Sequence, residues 1–326
     1  MHRLLRHSPI DMPIGQFLIF FLLLITGFFC KKFGVFTDDA INAINKFIII
    51  IVYPCLILGR TAALDIDHNI FFNFLLAIII NLGLLMLFGA YARLYYRRKH
   101  FSDEDRIVAE FGITSPNNGF MGFPIAFTFF GDLGLLYMIG ANIALNAFFF
   151  TYGIALLNRG RGVSVEPVLQ KLLRFGRMMA HPGICAAIAG ILLCYNHIKL
   201  PEIVQSYLDG IGAIATPLAM ISIGTMLAGG FGIQSFKKRL VMEPTVNRLF
   251  VMPIISAAVV WFLPINPLVK TLLIVSNSMP VATMVPILSE QHGRNKSLAV
   301  EMLVVSTLFS MATIPAVVWA LHQIGL

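Results

Sequence analysis

Two short stretches carry polar residues where almost everything around them is apolar. Thr114 to Pro124 reads Thr-Ser-Pro-Asn-Asn-Gly-Phe-Met-Gly-Phe-Pro, and Ser276 to Pro286 reads Ser-Asn-Ser-Met-Pro-Val-Ala-Thr-Met-Val-Pro. Ser115, Asn117, Asn118 and Gly119 in the first, and Ser276, Asn277 and Ser278 in the second, are candidate ligand-binding residues, bracketed by Pro116 and Pro124 and by Pro280 and Pro286. Proline removes a backbone donor and clashes with the preceding turn, so each pair should interrupt a helix. The half-helix beyond each break then begins inside the membrane and aims its unsatisfied N–H groups and positive dipole end into the gap. An anion fits there. No Lys or Arg lies inside either stretch, so the expected ligand is a carboxylate held by dipoles and amides and readily released. One proline in a membrane helix is more often a bare kink; two matching breaks lined with amides are the mark of a transporter site.

The elements that must position these stretches follow from composition. The chain has 326 residues, 58% hydrophobic and 12% charged, with mean hydropathy +0.82, against about a quarter charged in soluble domains. Runs long enough to span a bilayer are expected at Pro13 to Cys30, Ile41 to Leu58, Ile70 to Tyr91, Ile107 to Phe130, Leu133 to Leu157, His181 to Tyr195, Val204 to Phe231, Thr245 to Leu263, Pro267 to Leu288 and Ser297 to His322. The first run follows Arg3 and Arg6 but is long and lacks a small-residue cleavage site, so it reads as a span and not a signal peptide. No length remains for a soluble domain, and no G-x-x-x-x-G-K-[ST] loop is present, which argues against an ATP-driven pump. H-E-x-x-H and G-x-S-x-G motifs are also absent, so a hydrolase is not expected. No cofactor or metal site is read, and Cys30, Cys55, Cys185 and Cys194 are expected as free thiols.

The net charge of +8 is a topology signal and does not suggest a nucleic-acid partner. Lys31, Lys32, Arg93, Arg97, Arg98, Lys99, Arg106, Arg159, Arg161, Lys171, Arg174, Arg177, Lys237, Lys238, Arg239, Arg248, Arg294 and Lys296 fall on one side. Arg3, Arg6, Arg60, Lys199 and Lys270 fall on the other, with Lys46 inside a span. The first side is then cytoplasmic and both termini lie outside.

Internal matches at a shift of about half the chain suggest an inverted repeat. Pro54 answers to Pro217, Pro124 to Pro286 and Gly131 to Gly293, while Pro13 and Gly15 resemble Pro182 and Gly183. The expected fold is all-α and integral to the membrane: ten helices as two inverted five-helix repeats, residues 1–157 and 181–326, joined by a short basic cytoplasmic linker at 158–180. Charged residues within or near spans are candidates for coupling. Three have a plainer role: Lys46 can snorkel, Glu110 can pair with Arg106 one turn away, and Glu301 is one turn into its span. Asp209 is of more interest, because the repeat shift of 163 places it opposite Lys46. His181 reads as a span-end cap. Asn142 and Asn146 form a polar stripe that either faces the site or bonds to a neighbouring helix.

The pattern of spaced residues resembles the auxin efflux carrier family, which includes the plant PIN-type exporters and bacterial carriers of malonate, malate or oxalate. Ile44 to Phe47, running through Tyr53 to Pro54, resembles the second span of that family. Pro116, Asn117, Met121, Gly122 and Pro124 resemble the fourth, Gly224 to Ala228 the seventh, Arg248 to Pro253 the eighth, and Pro280 with Pro286 the ninth. The resemblance implies that broken helices four and nine cross at the substrate site. It also implies an elevator-type carrier, often a homodimer, with helices 1, 2, 6 and 7 as scaffold and helices 3–5 and 8–10 moving. The short linker, with Asn118 and Gly119 in place of the residues usual in PIN exporters, implies a compact bacterial-type carrier of small mono- or dicarboxylates in the plasma membrane. The alternatives are a sodium-coupled organic-anion symporter of similar fold and a non-transporting membrane sensor.

Overall fold

The computed structural model describes residues 14–160, 176, 180–228 and 233–325. All regular structure among them is helical. The helices are α1 (Ile14–Lys32), α2 (Asp38–Ala62), α3 (His68–Arg97), α4 (Asp103–Thr114), α5 (Asn118–Leu157), α6 (Pro182–Tyr195), α7 (Glu202–Ala228), α8 (Arg239–Trp261), α9 (Pro267–Asn277), α10 (Met284–Gln291) and α11 (Lys296–Gln323). Among the described residues α1, α2, α3, α5, α7, α8 and α11 are long and apolar enough to cross a membrane, and α6 and α9 are shorter apolar helices. Large apolar side chains such as Leu18, Leu22, Ile79, Phe72 and Ile254 stand exposed on the outside, as lipid contact requires. The four cysteines form no disulfide. Arg3, Arg6 and most of the expected linker lie outside the described residues.

Proline shapes the helices from within. A wide π turn occupies Ile48–Val52, Asn118–Gly122 and Asn247–Val251. Two residues beyond each stands a proline, Pro54, Pro124 or Pro253. A proline ring collides with the carbonyl four residues back, which in each case falls inside the widened turn. The helix therefore bends and continues. Pro116 and Pro280 have the opposite effect, each lying in a non-helical link between two helices. The expected spans at Ile107 to Phe130 and Pro267 to Leu288 are thus each two helices, broken at the first proline. Of the second prolines, Pro286 sits within the first turn of α10, where a missing N–H costs nothing, whereas Pro124 follows the π turn that opens α5. Gly131 turns the chain inside α5 with φ 66°, a left-handed conformation that side chains other than glycine resist.

The helices pack as two sets. In the first, α1 lies against the second half of α7, and α2 against α6 and both halves of α7. Glycines permit this closeness: a Cβ on Gly27 would strike the Ile221 carbonyl, and one on Gly224 the Leu24 carbonyl. In the second set α3 packs on α4 and α5, α8 and α10 pack on α11, and α9 packs on α5 and α8. Rings fill the seam between the sets. Phe17 stacks on Phe129 with centroids 4.3 Å apart, Tyr53 meets Phe120 and Phe123 edge-on, and the Arg60 guanidinium lies 4.9 Å from the centre of the Phe127 ring. Hydrogen bonds and ion pairs between helices, among the described residues, join members of one set and do not cross the seam.

Candidate functional site where two broken helices cross

The links between α4 and α5 and between α9 and α10 meet as a one-residue antiparallel bridge, Pro116 opposite Val281. Asn117 N–H donates to the Pro280 carbonyl at 2.9 Å, and Ala282 N–H donates to the Ser115 carbonyl at 2.8 Å. Val281 N–H donates to Ser306 Oγ of α11 at 3.0 Å. Each irregular segment thus satisfies the other in a place where water cannot.

Side chains finish the joint. Asn118 Nδ2 donates to Ser276 Oγ at 2.8 Å, tying one break to the other. Asn277 Nδ2 donates to Asn81 Oδ1 at 2.9 Å, and Asn81 Nδ2 to the Ala141 carbonyl at 2.8 Å. Ser278 Oγ donates back to the Ile274 carbonyl at 2.7 Å. Ser115, Asn117, Asn118, Ser276, Asn277 and Ser278 are all buried. Gly119, next in the chain, is half-buried, and a Cβ there would meet nothing.

Some polar atoms of this joint remain unpaired. Ser115 Oγ, Asn117 Nδ2, Asn118 Oδ1 and Asn277 Oδ1 have no hydrogen-bond partner, and neither does the hydroxyl of Tyr53 across the seam. An unpaired buried group costs about 1–3 kcal/mol, so four around one crossing point to a ligand. The helix starts tell the same story. Thr37, Asp67, Ser102, Asn266 and Asn295 cap α2, α3, α4, α9 and α11 with a side-chain oxygen. At the crossing, Asn117 and Thr283 precede α5 and α10 without capping them, as is also the case at the surface starts of α7 and α8.

The largest addition to the expected site is Arg248. In the sequence it falls among the cytoplasmic loop charges, yet it is 0% exposed and lies in the π turn of α8 beneath the crossing. Its Nε donates to the Met279 carbonyl at 3.1 Å, its Nη1 to the Ile113 carbonyl at 2.7 Å, and its Nη2 to the Asn277 carbonyl. An arginine therefore serves a site whose own stretches contain none. Helix α8 begins at Arg239, six residues before the expected Thr245, because Arg239 and Lys99 both pair with Glu243 and let the helix run on. Asn81 and Ser306 were also missed, although Asn81 stands out as a lone amide within Ile78 to Leu85.

Other candidates lie elsewhere. Asn142 and Asn146 are half-buried and make no hydrogen bond to the crossing; their helix reaches it through the Ala141 carbonyl. Glu110 pairs with Arg159 at 2.9 Å, because Arg106 is taken by Asp103. It lies in a cavity of about 350 Å³ with Arg93, Arg97 and Arg106. Glu301 pairs with Lys238 at 2.7 Å. Asp209 pairs with Arg60 at 3.6 Å, while Lys46 is exposed. His181 does cap its helix, accepting the Gly183 N–H at Nδ1.

An all-helical chain with apolar, lipid-exposed helices, two of them interrupted around a polar joint, is a membrane protein of the transporter class. It belongs to the membrane transport protein family, the family of the auxin efflux carriers, whose model matches residues 13–318. It is similar to an "Uncharacterized transporter" of Methanocaldococcus jannaschii, 26% identical over 95% of this chain and 99% of that protein. A second "Uncharacterized transporter", from Methanothermobacter thermautotrophicus, is 24% identical over 90% of this chain and 93% of its own. A protein of Rhizobium meliloti named "Putative malonate transporter" is 21% identical over 95% of this chain and 96% of its own. These likenesses indicate a transporter and not an enzyme.

Proposed function

We propose that the chain is a secondary carrier of small organic-acid anions, with the substrate carboxylate bound at the crossing of the two broken helices. The observation that carries this reading is the electrostatics of the joint. Two uncapped helix N-termini and the free amide of Asn117 meet above a buried guanidinium that has no carboxylate partner among the described residues. Each of these groups favours negative charge. The relative named for malonate supports a small dicarboxylate as the substrate class.

The proposed movement is elevator-type alternating access. The set holding both breaks slides against the set of α1, α2, α6 and α7 along a seam of rings that, among the described residues, no hydrogen bond crosses. Counting α4 with the first limb of α5 as one span, and α9 with α10 as another, gives ten spans in two inverted halves, 1–157 and 181–326. Gly131 and Gly293, at matching positions, both have positive φ, 66° and 62°. The protein would lie in the plasma membrane as a homodimer, with both termini outside.

Purified protein in proteoliposomes, tested for counterflow against a panel of mono- and dicarboxylates, decides the matter. Saturable counterflow of an acid such as malonate is expected, while its uncharged diamide competes at least about tenfold more weakly, the loss of one charge-assisted contact. A diamide that competes as well as the acid would end the anion reading.

A further inference from the structure

In carriers built on interrupted helices, a coupling cation sits where the negative C-terminal ends of half-helices and unwound carbonyls converge. Here those carbonyls converge on a side chain. Ile113 is one residue from the end of α4, Asn277 is the last residue of α9, and Met279 lies in the link that follows; all three carbonyls accept hydrogen bonds from the guanidinium of Arg248. The guanidinium is fully buried, with the Phe88 ring 5.8 Å away, and no acidic side chain neutralises it among the described residues.

We propose that Arg248 is a tethered cation occupying the place of a coupling ion, so that this carrier binds and moves its anion without sodium. The chemistry suits the position. Guanidinium is permanently charged and presents donors in a planar fork, which lets one group satisfy three carbonyls that a metal ion would otherwise have to gather. It also offsets the negative ends of α4 and α9 at the point where an incoming carboxylate would meet them. Burying an unpaired charge is costly even after relaxation, and here the three carbonyls and the arriving anion offset it. Because α8 packs in the set that holds both breaks, the cation travels with the site and need not be captured and released in each cycle.

The transport arm of the test rests on the carrier reading; the binding arm does not. In detergent, thermal unfolding of the full-length wild-type protein is expected to show the same midpoint in sodium chloride and in choline chloride. Arg248→Ala should melt lower and be raised again by millimolar guanidinium or sodium, which fill the emptied cage. Wild-type protein stabilised by sodium over choline, or folded Arg248→Ala indifferent to both cations, would overturn the proposal. In proteoliposomes, wild-type malonate counterflow should be unchanged when choline replaces sodium. In Arg248→Ala it should fall at least about tenfold in choline and recover with added guanidinium; Arg248→Lys, which keeps the charge, should stay sodium-independent. Should Arg248→Ala not fold, the wild-type and Arg248→Lys sodium responses decide, sodium dependence of either refuting the idea. If malonate is not moved at all, the substrate assignment fails and the unfolding arm still judges Arg248.

Discussion

Asn117 and Asn277 sit on opposite ends of the two breaks, one just before α5 and the other closing α9, and their bonds differ. Asn117 Nδ2 is unpartnered, whereas Asn277 Nδ2 holds Asn81 and the Leu273 carbonyl. Asn117→Ala should therefore weaken binding of a transported carboxylate about 10- to 100-fold, the loss of a bond to a charged group, without lowering the melting temperature. Asn277→Ala should cost stability as well, about 1 kcal/mol for the broken Asn81 bond. Calorimetric titration and thermal unfolding of both variants separate the two effects, and full-affinity Asn117→Ala would move the site away from this amide. These asparagines were legible in the sequence because amides next to proline are conspicuous in an apolar run. Arg248 was not, since a charge four residues into an expected span looks like a loop residue. Only the three-dimensional convergence of Ile113, Asn277 and Met279, which are distant from it in sequence, shows what it is for.

At the scale of helices, periodicity and length located nearly every apolar run to within a few residues, because the bilayer imposes both. What it did not reveal was how each proline would act. Pro54, Pro124 and Pro253 widen a turn, whereas Pro116 and Pro280 end a helix, and the difference lies in whether a neighbouring segment can take over the freed backbone bonds. The link holding Pro116 has such a partner in the link holding Pro280. Close approach of backbones is likewise invisible in a single sequence. Gly27→Ala and Gly224→Ala should each destabilise the fold by about 1–3 kcal/mol, since the added methyl would overlap a carbonyl of the facing helix. Gly83→Ala, where a Cβ meets nothing, should be neutral or slightly stabilising. Melting of the three variants in one detergent is the comparison; equal midpoints would show that α1 and α7 are not locked together as described.

Over the whole molecule, the proposed sliding predicts that fastening the seam stops transport. With Phe17→Cys and Phe129→Cys introduced into a cysteine-free background, a short cleavable bis-thiosulfonate linker should abolish counterflow, and reduction should restore it. Counterflow that persists in a fully cross-linked sample would rule out relative movement at these rings. Orientation is open to labelling: an impermeant maleimide applied outside should reach a cysteine placed at Gln323 but not one at Arg294, and the reverse pattern would invert the topology. Charge asymmetry suggests this arrangement from the sequence, and without Arg248 the sequence count is still seventeen to five. The interleaving of the two sets has a consequence in time. Helix α1 leaves the ribosome well before α7, yet its close neighbour is the second half of α7, and the Ser115–Asn117 link waits for Pro280 and Ala282. Early helices must therefore dwell in the bilayer with polar groups unmet until the second half is synthesised. A gene cut between residues 160 and 180 should yield two fragments that are degraded when made singly and rescue each other when made together, measurable as steady-state abundance of each fragment with and without its mate.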